Sequence, residues 1–314
     1  MIKVGVLIGI KSSESEIAQR TAKNVISALE YKGYNVVPIP IDENLVENLK
    51  REKINVAFIS AHGIFGEDGT VQGLLELLGI PYIGSGVLAS ALAMNKIMSK
   101  KIFTYENIPT PKWLYLHKRD LEEKDLESIK YLVRELKFPL AIKPASQGST
   151  IGFTKLEREE ELKSALEYAF QYDNEVVIEE FIYGKEITAS IFDTKKTICF
   201  PLIEIIPKSQ TGLYDYTAKY TPGMSAHIIP ARLENDIYLK AQDLGIKAHK
   251  ALGCRHFSRV DMIVEHETNN IYVLEVNTIP GMTSTSLYPE AAKAYGIEFP
   301  DLLSMLIDHV LGRE

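Results

Sequence analysis

Two cysteines in 314 residues, Cys199 and Cys254, exclude a disulfide framework and a four-cysteine zinc site. Both sit among mostly apolar neighbours, as buried, inert thiols in a reducing compartment would. The seven histidines include no His-x-x-x-His pair, so no zinc hydrolase is indicated. No apolar run approaches the ~18 residues of a membrane span. The opening stretch, Met1 to Ile10, is mostly apolar but short. Lys11-Ser12-Ser13-Glu14 follows it without a small-residue cleavage site, so it reads as a strand and not as a signal peptide. Positive charge is not in excess: 35 Lys and Arg face 42 Asp and Glu, a net charge of −7. That balance argues against a general nucleic-acid or anionic-membrane role, though local basic clusters could bind phosphate. Internal repeats and low-complexity segments are absent. These absences point to a cytoplasmic protein. What is present is ordinary for a globular chain, 46% hydrophobic and 25% charged residues, in a length that suits roughly two to three domains.

The first ninety residues alternate strand and helix. Ile2–Ile8 is apolar except for Lys3, as a strand buried on both faces requires. A helix is expected from Glu14 to Lys32, closed by Gly33, then strands Asn35–Ile39 and Val56–Ser60 with a short helix from Asn44 between them. This βαβαβ order predicts a parallel sheet, which binds ligands at the carboxyl ends of its strands. The loops Gly9–Glu14 and His62–Gly69 both end there. Pro109-Thr110-Pro111 opens a second unit: strand Trp113–Leu116, a helix Leu121–Leu136, strands Leu140–Lys143 and Ile151–Lys155, a helix Glu159–Gln171 and strand Glu175–Phe181. A last unit begins near Gly184. It contains strands Glu186–Phe192 and Ile198–Ile206, a polar loop from Lys208 to Met224, a helix Glu234–Leu252, strands Phe257–Val264 and Ile271–Asn277, and two terminal helices. The domain division drawn from this order is 1–95, 96–184 and 185–314.

Three groups of residues carry chemistry. Lys143-Pro144-Ala145-Ser146-Gln147-Gly148-Ser149-Thr150-Ile151-Gly152 places a lysine at the end of a strand before a loop of small residues. Such a loop lets backbone N–H groups approach a phosphate while the lysine supplies a point charge. An ordinary hairpin turn has the same composition, and neither a Walker nor a Rossmann pattern is present. Arg259-Val260-Asp261 and Glu275-Val276-Asn277 each place two polar residues on one strand face. His266–Asn270 joins the two strands as a hairpin, so three oxygen ligands converge beside an arginine. That set suits Mg²⁺, which takes one or two carboxylates and completes its shell with phosphate and water. Val260, Met262, Leu274 and Val276 are expected to form the opposite, core face. Lastly, Val176–Ile182 with Glu186 offers a strand edge for a purine and a carboxylate for ribose hydroxyls.

These segments together resemble the ATP-grasp fold, and further stretches resemble one family within it, the D-alanine–D-alanine ligases. They are His62-Gly63-Ile64-Phe65-Gly66-Glu67-Asp68-Gly69-Thr70-Val71-Gln72-Gly73, Pro81–Gly86, Ser90–Lys96, Tyr214–Tyr220 and Asn277-Thr278-Ile279-Pro280-Gly281-Met282-Thr283. The match runs in order from about residue 2 to residue 311. The resemblance implies a mixed α/β (α+β) ATP-grasp fold with an N-terminal parallel βαβ domain. It also implies an ATP- and Mg²⁺-dependent ligase (Mn²⁺ could substitute) that makes D-alanyl-D-alanine for peptidoglycan through a D-alanyl phosphate. Lys96, Lys143, Gly148, Ser149, Glu179, Glu180, Ile182 and Glu186 would bind ATP, and Asp261, Glu275 and Asn277 would carry the metal. Arg259 and the Gly281 N–H would form an oxyanion hole. Glu14 and His62 would fix the first D-alanine. Lys219 would lie by the transferred phosphate, and Ser286 and Leu287 would receive the second carboxylate. Tyr220 would bridge Glu14 and Ser149. ATP and D-alanine are the partners implied, with a homodimer as one assembly open to the chain.

The chain departs from the family pattern at Gly9-Ile10-Lys11-Ser12-Ser13-Glu14-Ser15. Ile10 stands where a second glycine is usual, and Ser15 stands where a basic residue is usual. Two alternatives keep the fold and change the substrate: a D-alanine–D-lactate or D-alanine–D-serine ligase, and an ATP-grasp ligase for other amino acids. Tyr216-Thr217-Ala218-Lys219-Tyr220 reads as the dipeptide-making form. A nucleotide sensor without catalysis would not need Arg259 and all three metal ligands.

Overall fold

Alternation of apolar strand and amphipathic helix builds the first layer of this computed structural model, which describes residues 1–10, 15–123, 125–208, 221, 223–283 and 285–313. Strands β1 (Lys3–Gly9), β2 (Asn35–Ile41), β3 (Val56–Ser60) and β4 (Tyr82–Ile83) pair in the order β2-β1-β3-β4, all parallel. Helices α1 (Ser15–Tyr31), α2 (Leu45–Glu52) and α3 (Thr70–Leu77) supply the crossovers. Val4, Val6, Val56 and Phe58 on one side and Leu7, Ala57 and Ile59 on the other are buried, so the sheet is covered on both faces. The parallel arrangement read from the sequence is therefore correct.

Two helices, α4 (Val87–Met94) and α5 (Lys96–Tyr105), lead into the middle layer. The side chain of Asn95 accepts the Met98 N–H at 3.0 Å and so starts α5 at Lys96. The middle sheet is antiparallel, in the order β5-β8-β6-β7: β5 (Trp113–His117), β6 (Leu140–Pro144), β7 (Thr154–Leu156) and β8 (Glu175–Glu180). Its back is covered by α6 (Asp120–Glu123), α7 (Leu126–Val133) and α8 (Leu162–Ala169). The third sheet is also antiparallel: β9 (Gly184–Asp193), β10 (Thr197–Cys199), β11 (Ile203–Pro207), β12 (Ser225–Ile228), β13 (His256–Glu265) and β14 (Ile271–Asn277). The 17-residue α9 (Asn235–Ala251) packs behind it. The last helices, α10 (Leu287–Tyr295) and α11 (Phe299–Val310), return to the first layer, where Leu302, Leu303, Leu306 and Ile307 join the cluster of Val4, Val6, Ala22 and Val25.

Five local expectations are corrected. The helix expected over 121–136 is two helices, because Asp125 turns inward as an N-cap and accepts the Ser128 N–H at 2.7 Å. The strand expected over Ile198–Ile206 breaks at Phe200-Pro201-Leu202, since Pro201 has no N–H to give a ladder. The strand expected from Ile151 begins only at Thr154, because Ser149, Thr150 and Gly152 all take positive φ. The helix expected from Glu159 opens with a 3₁₀ turn and runs from Leu162. Strand β12, at the end of the long polar loop, was not expected at all. Cys254 is buried and Cys199 partly so; burial pushes both thiols up to about 12, consistent with inert side chains.

The first and third layers are clasped at His256. The Gly84 N–H donates to His256 Nδ1 at 3.0 Å, the Arg255 guanidinium donates to the Gly84 carbonyl at 3.2 Å, and Arg255 lies over the Tyr82 ring at 5.0 Å. A ring nitrogen that accepts a bond must stay unprotonated. Burial, with Arg255 and His309 adding like charge, lowers the His256 pKa to about 4. The unfolded chain then binds more protons than the folded one between about pH 6.5 and 4. The clasp's contribution is complete above that window and is lost as pH falls through it. We predict that urea stability drops by up to about 3 kcal/mol more from pH 7 to pH 4 in the wild type than in His256→Asn, whose amide oxygen can accept without titrating. Parallel pH profiles of the two would contradict the assignment.

Candidate active site

The middle and third sheets face one another across a cleft of about 740 Å³. Ten of the residues singled out for ATP or metal line it: Lys96, Lys143, Gly148, Ser149, Glu179, Glu180, Ile182, Glu186, Asp261 and Glu275. Helix α5 delivers Lys96, β6 delivers Lys143, β8 ends in Glu179 and Glu180, and β13 and β14 bring Asp261 and Glu275. Residues more than 170 positions apart thus meet because the strand ends of two sheets point into one space.

Ionic pairs organise this space. Lys143 Nζ lies 2.5 Å from Glu179 Oε1, and Lys100 Nζ lies 2.6 Å from Glu179 Oε2. Burial raises the Glu179 pKa, but the two lysines overcome it and hold the carboxyl below its ordinary value. Lys96 Nζ donates to the Gln147 carbonyl at 2.6 Å and stands 3.6 Å from Glu275. Across the cleft, Arg259 forks onto Asp261 with bonds of 2.8 and 2.7 Å. Thr188 donates to the same carboxylate at 2.7 Å and the Asn277 amide at 3.1 Å.

The strand register explains the acidic cluster and one error in its reading. Arg259 pairs with Asn277 and Asp261 with Glu275, but Met262 then pairs with Val273, so β14 bulges at Leu274. The extra residue lets both Leu274 and Glu275 reach the cleft, and Leu274 lines it. The expected core position of Leu274 is therefore wrong, while Val260, Met262 and Val276 are buried as expected.

The loop after β6 is built for close approach. A Cβ on Gly152 would lie 2.6 Å from Pro144 and 2.8 Å from Tyr172, at φ +74. Ser149 and Thr150 take φ +50 and +64, and such backbone strain in a non-glycine pair is characteristic of functional loops.

A second group gathers at the carboxyl edge of the first sheet. His62 follows β3 and is buried at 6% exposure. Much of the motif after it braces the loop: Glu67 accepts the Gly63 N–H at 2.6 Å, Asp68 accepts from Phe65 and Thr70, and Gln72 donates to the Gly66 carbonyl at 2.6 Å. Gly66 is required because a Cβ there would sit 2.0 Å from the Ala61 carbonyl oxygen. Gly281 and Ser286 are adjacent, with Ser286 Oγ 2.9 Å from where a Gly281 Cβ would be; Ser286 Oγ also accepts the Thr283 N–H at 3.0 Å. Leu287 is 4% exposed at the start of α10. None of His62, Arg259, Asn277, Gly281, Ser286 and Leu287 lines the 740 Å³ cleft, though Arg259 and Asn277 bond to Asp261, which does. Glu14, Lys219 and Tyr220 lie outside the described residues.

Three charged features escaped the sequence reading. Lys100 is fully buried, and only its spacing of four from Lys96 on one helix could have flagged it. Glu204 and Arg232, 28 residues apart, form a two-bond fork of 2.9 and 2.7 Å at the cleft wall. Lys155 lies over the rings of Phe181 and Tyr183 at 4.8 and 4.7 Å.

The donor set at β13 and β14 is two carboxylates and one amide. No group of three or more His, Cys, Asp or Glu able to hold a metal occurs among the described residues. That set does not enclose a metal by itself, and it fits Mg²⁺ shared with a polyphosphate. Two antiparallel sheets closing on a cleft, with Lys96 and Lys143 on one side and Asp261 and Glu275 on the other, are the arrangement of an ATP-grasp protein. The family models for the D-ala D-ala ligase N-terminus and C-terminus match residues 44–85 and 102–308. The chain belongs to the D-alanine–D-alanine ligase family. It is 49% identical over 308 residues to the D-alanine–D-alanine ligase of Pelotomaculum thermopropionicum, covering 98% of this chain and 96% of the relative. It is 48% identical over 314 residues to that of Carboxydothermus hydrogenoformans, covering 100% and 99%. Among solved structures, the Bacillus anthracis D-alanine–D-alanine ligase complexed with ATP superposes with a TM-score of 0.84 at 38% identity, over 99% and 98% of the two chains. The VanG D-Ala:D-Ser ligase of Enterococcus faecalis gives 0.83 at 32% identity, over 98% and 99%.

Proposed function

We propose that the chain joins two molecules of D-alanine into D-alanyl-D-alanine at the expense of ATP, and that the cleft between the middle and third sheets carries the chemistry. The observation that supports this most is the convergence of Lys96, Lys143, Asp261, Glu275 and the Gly148–Gly152 loop on one space, in a chain of this family. The three separate sheets support a division into three units, the third sheet beginning at Gly184.

In the proposed reaction the carboxylate of the first D-alanine attacks the γ-phosphorus of ATP. The β,γ-bridging bond breaks, and ADP and D-alanyl phosphate form. The neutral amine of the second D-alanine then attacks the acyl carbon, and inorganic phosphate leaves with the C–O bond electrons. Lys96 and Lys143 would hold phosphate oxygens, the Gly148–Gly152 loop with Ser149 would cover them, and Glu179, Glu180, Ile182 and Glu186 would hold adenosine. Asp261, Glu275 and Asn277 would hold Mg²⁺, which neutralises phosphate charge when bound. His62 and Glu14 would orient the first D-alanine, and Ser286 and Leu287 the second carboxylate. Arg259 and the Gly281 N–H would meet the oxygen that becomes negative in the tetrahedral intermediate. Lys219 and Tyr220 would close the site and exclude water from the acyl phosphate.

The pairs seen in the cleft act as internal counterions under this reading. Arg259 neutralises Asp261, and Lys96 stands against Glu275, until nucleotide and metal supply other partners. Exchange of partners costs less than exposing a bare charge in a dry cleft. No helix among the described residues is long and apolar enough to cross a membrane. The need for ATP and the two free thiols support a cytoplasmic site of action.

The test is phosphate release from ATP and Mg²⁺ with D-alanine, with the product identified by mass. D-Alanyl-D-alanine is expected as the main product, and equal use of D-serine or D-lactate at pH 7 as second substrate would transfer the chain to another specificity. Arg259→Met is expected to lower kcat by roughly 10²-fold, as loss of an oxyanion donor does. A change confined to KM would instead assign Arg259 to ground-state binding.

A further inference from the structure

Lys100 is a fully buried cation that the proposed reaction leaves unused. It lies on α5 one turn after Lys96, is 0% exposed, and does not line the cleft. Its ammonium has two partners, Glu179 Oε2 at 2.6 Å and the Thr110 hydroxyl at 2.6 Å. Glu179 is itself 3% exposed and holds Lys143 with its other oxygen at 2.5 Å. A lysine is rarely buried so completely, because removing an ammonium from water costs several kcal/mol unless other groups replace the solvent. A structural pair between Lys143 and Glu179 would need no third charge.

The charge count gives the third charge a purpose. Lys143 and Glu179 alone form a neutral pair, and a neutral pair offers little to a polyphosphate. Adding Lys100 leaves the group of three with a net charge of +1, and the only member of its two cations that faces the cleft is Lys143. Lys100 also occupies one carboxylate oxygen, so Glu179 cannot chelate Lys143 with both. We propose that Lys100 is a positioning residue for nucleotide binding: it satisfies Glu179 from behind, so that Glu179 aims Lys143 without cancelling its charge toward the phosphates of ATP.

This inference rests on the reading of Lys143 as a phosphate ligand, and the test separates the two. Affinity for a non-hydrolysable ATP analogue with Mg²⁺ is measured by calorimetry at several KCl concentrations for the wild type, Lys143→Met, Lys100→Met and Lys100→Gln. Kinetic constants are measured in parallel. Lys100→Met is expected to weaken the analogue roughly tenfold or more, through loss of a unit charge in a low-dielectric site. It should also flatten the salt dependence and raise KM for ATP, with kcat at saturating ATP and KM for D-alanine little changed. Lys100→Gln, which can donate to Glu179 without carrying a charge, is expected to show the same loss of affinity and the same flattened salt dependence. A merely structural role for Lys100 would weaken the analogue without flattening its salt dependence. Should Lys100→Met fail to fold, Lys100→Gln carries the test, because it keeps a polar group beside Glu179 and Thr110: weakened binding with a flattened salt dependence is expected of it, and wild-type affinity or an unchanged salt dependence overturns the inference. Analogue affinity unchanged in Lys100→Met but lost in Lys143→Met overturns the role of Lys100 alone. Affinity unchanged in Lys143→Met overturns the phosphate reading and this inference with it.

Discussion

Charge that leaves water must find another charge, and the architecture of the cleft follows from that requirement. Four of the cationic side chains there or directly behind it are each set against a carboxylate: Lys100 and Lys143 against Glu179, Lys96 against Glu275, Arg259 against Asp261. Two of these pairs join parts of the chain that the sheets alone would not bind together. Lys100–Glu179 pins α5 to the middle sheet. Lys96–Glu275 reaches from α5 to the third sheet. A fold that let these layers drift would strand buried ions, so the positions of the layers and the state of the cleft are one problem.

The apolar cores make those positions rigid. Phe103 on α5 packs with Ile187, Val260 and Met262 of the third sheet, behind the face that carries Asp261. The C-terminal helices run back to the first sheet, so that Tyr288, which donates to the Ile191 carbonyl at 2.9 Å, ties the segment after Gly281 and Ser286 to β9. In this way the loop proposed to hold the second substrate is anchored to the same sheet as the proposed metal ligands. His256 then fixes that sheet to the first one through Gly84. The proposed substrate positions, contributed by three layers, would be held in register by groups well away from the chemistry, which is what an ordered two-step transfer requires.

How much of this was legible in the sequence depended on whether a signal was local. Period-2 alternation placed Arg259 with Asp261 and Glu275 with Asn277, and the hairpin between them fixed which residues meet. Lys143 and the small-residue loop were visible because a lysine at a strand end followed by Gly and Ser is a local pattern. Leu274 was misread because a bulge shifts the alternation by one, and nothing in Ile271–Asn277 marks where it falls. The break at Pro201 was readable and was passed over in favour of the apolar run around it. Lys100, Glu204 and Arg232 were missed for another reason: each acquires meaning only from a partner 28 or more residues away, or from burial that a charged side chain does not advertise. For Glu14, Lys219 and Tyr220 the family resemblance remains the support.

The central claim is that the ionic pairs of the cleft are placeholders whose partners change when ligand arrives. A crystal structure with Mg²⁺ and a non-hydrolysable ATP analogue tests it most directly. The account predicts the ammonium groups of Lys96 and Lys143 within hydrogen-bond reach of phosphate oxygens, Asp261, Glu275 and Asn277 on the metal, and the Arg259 fork turned away from Asp261. Nucleotide bound with Arg259 still forked on Asp261, Lys96 still set against Glu275 and the phosphates outside the reach of both lysines would contradict it.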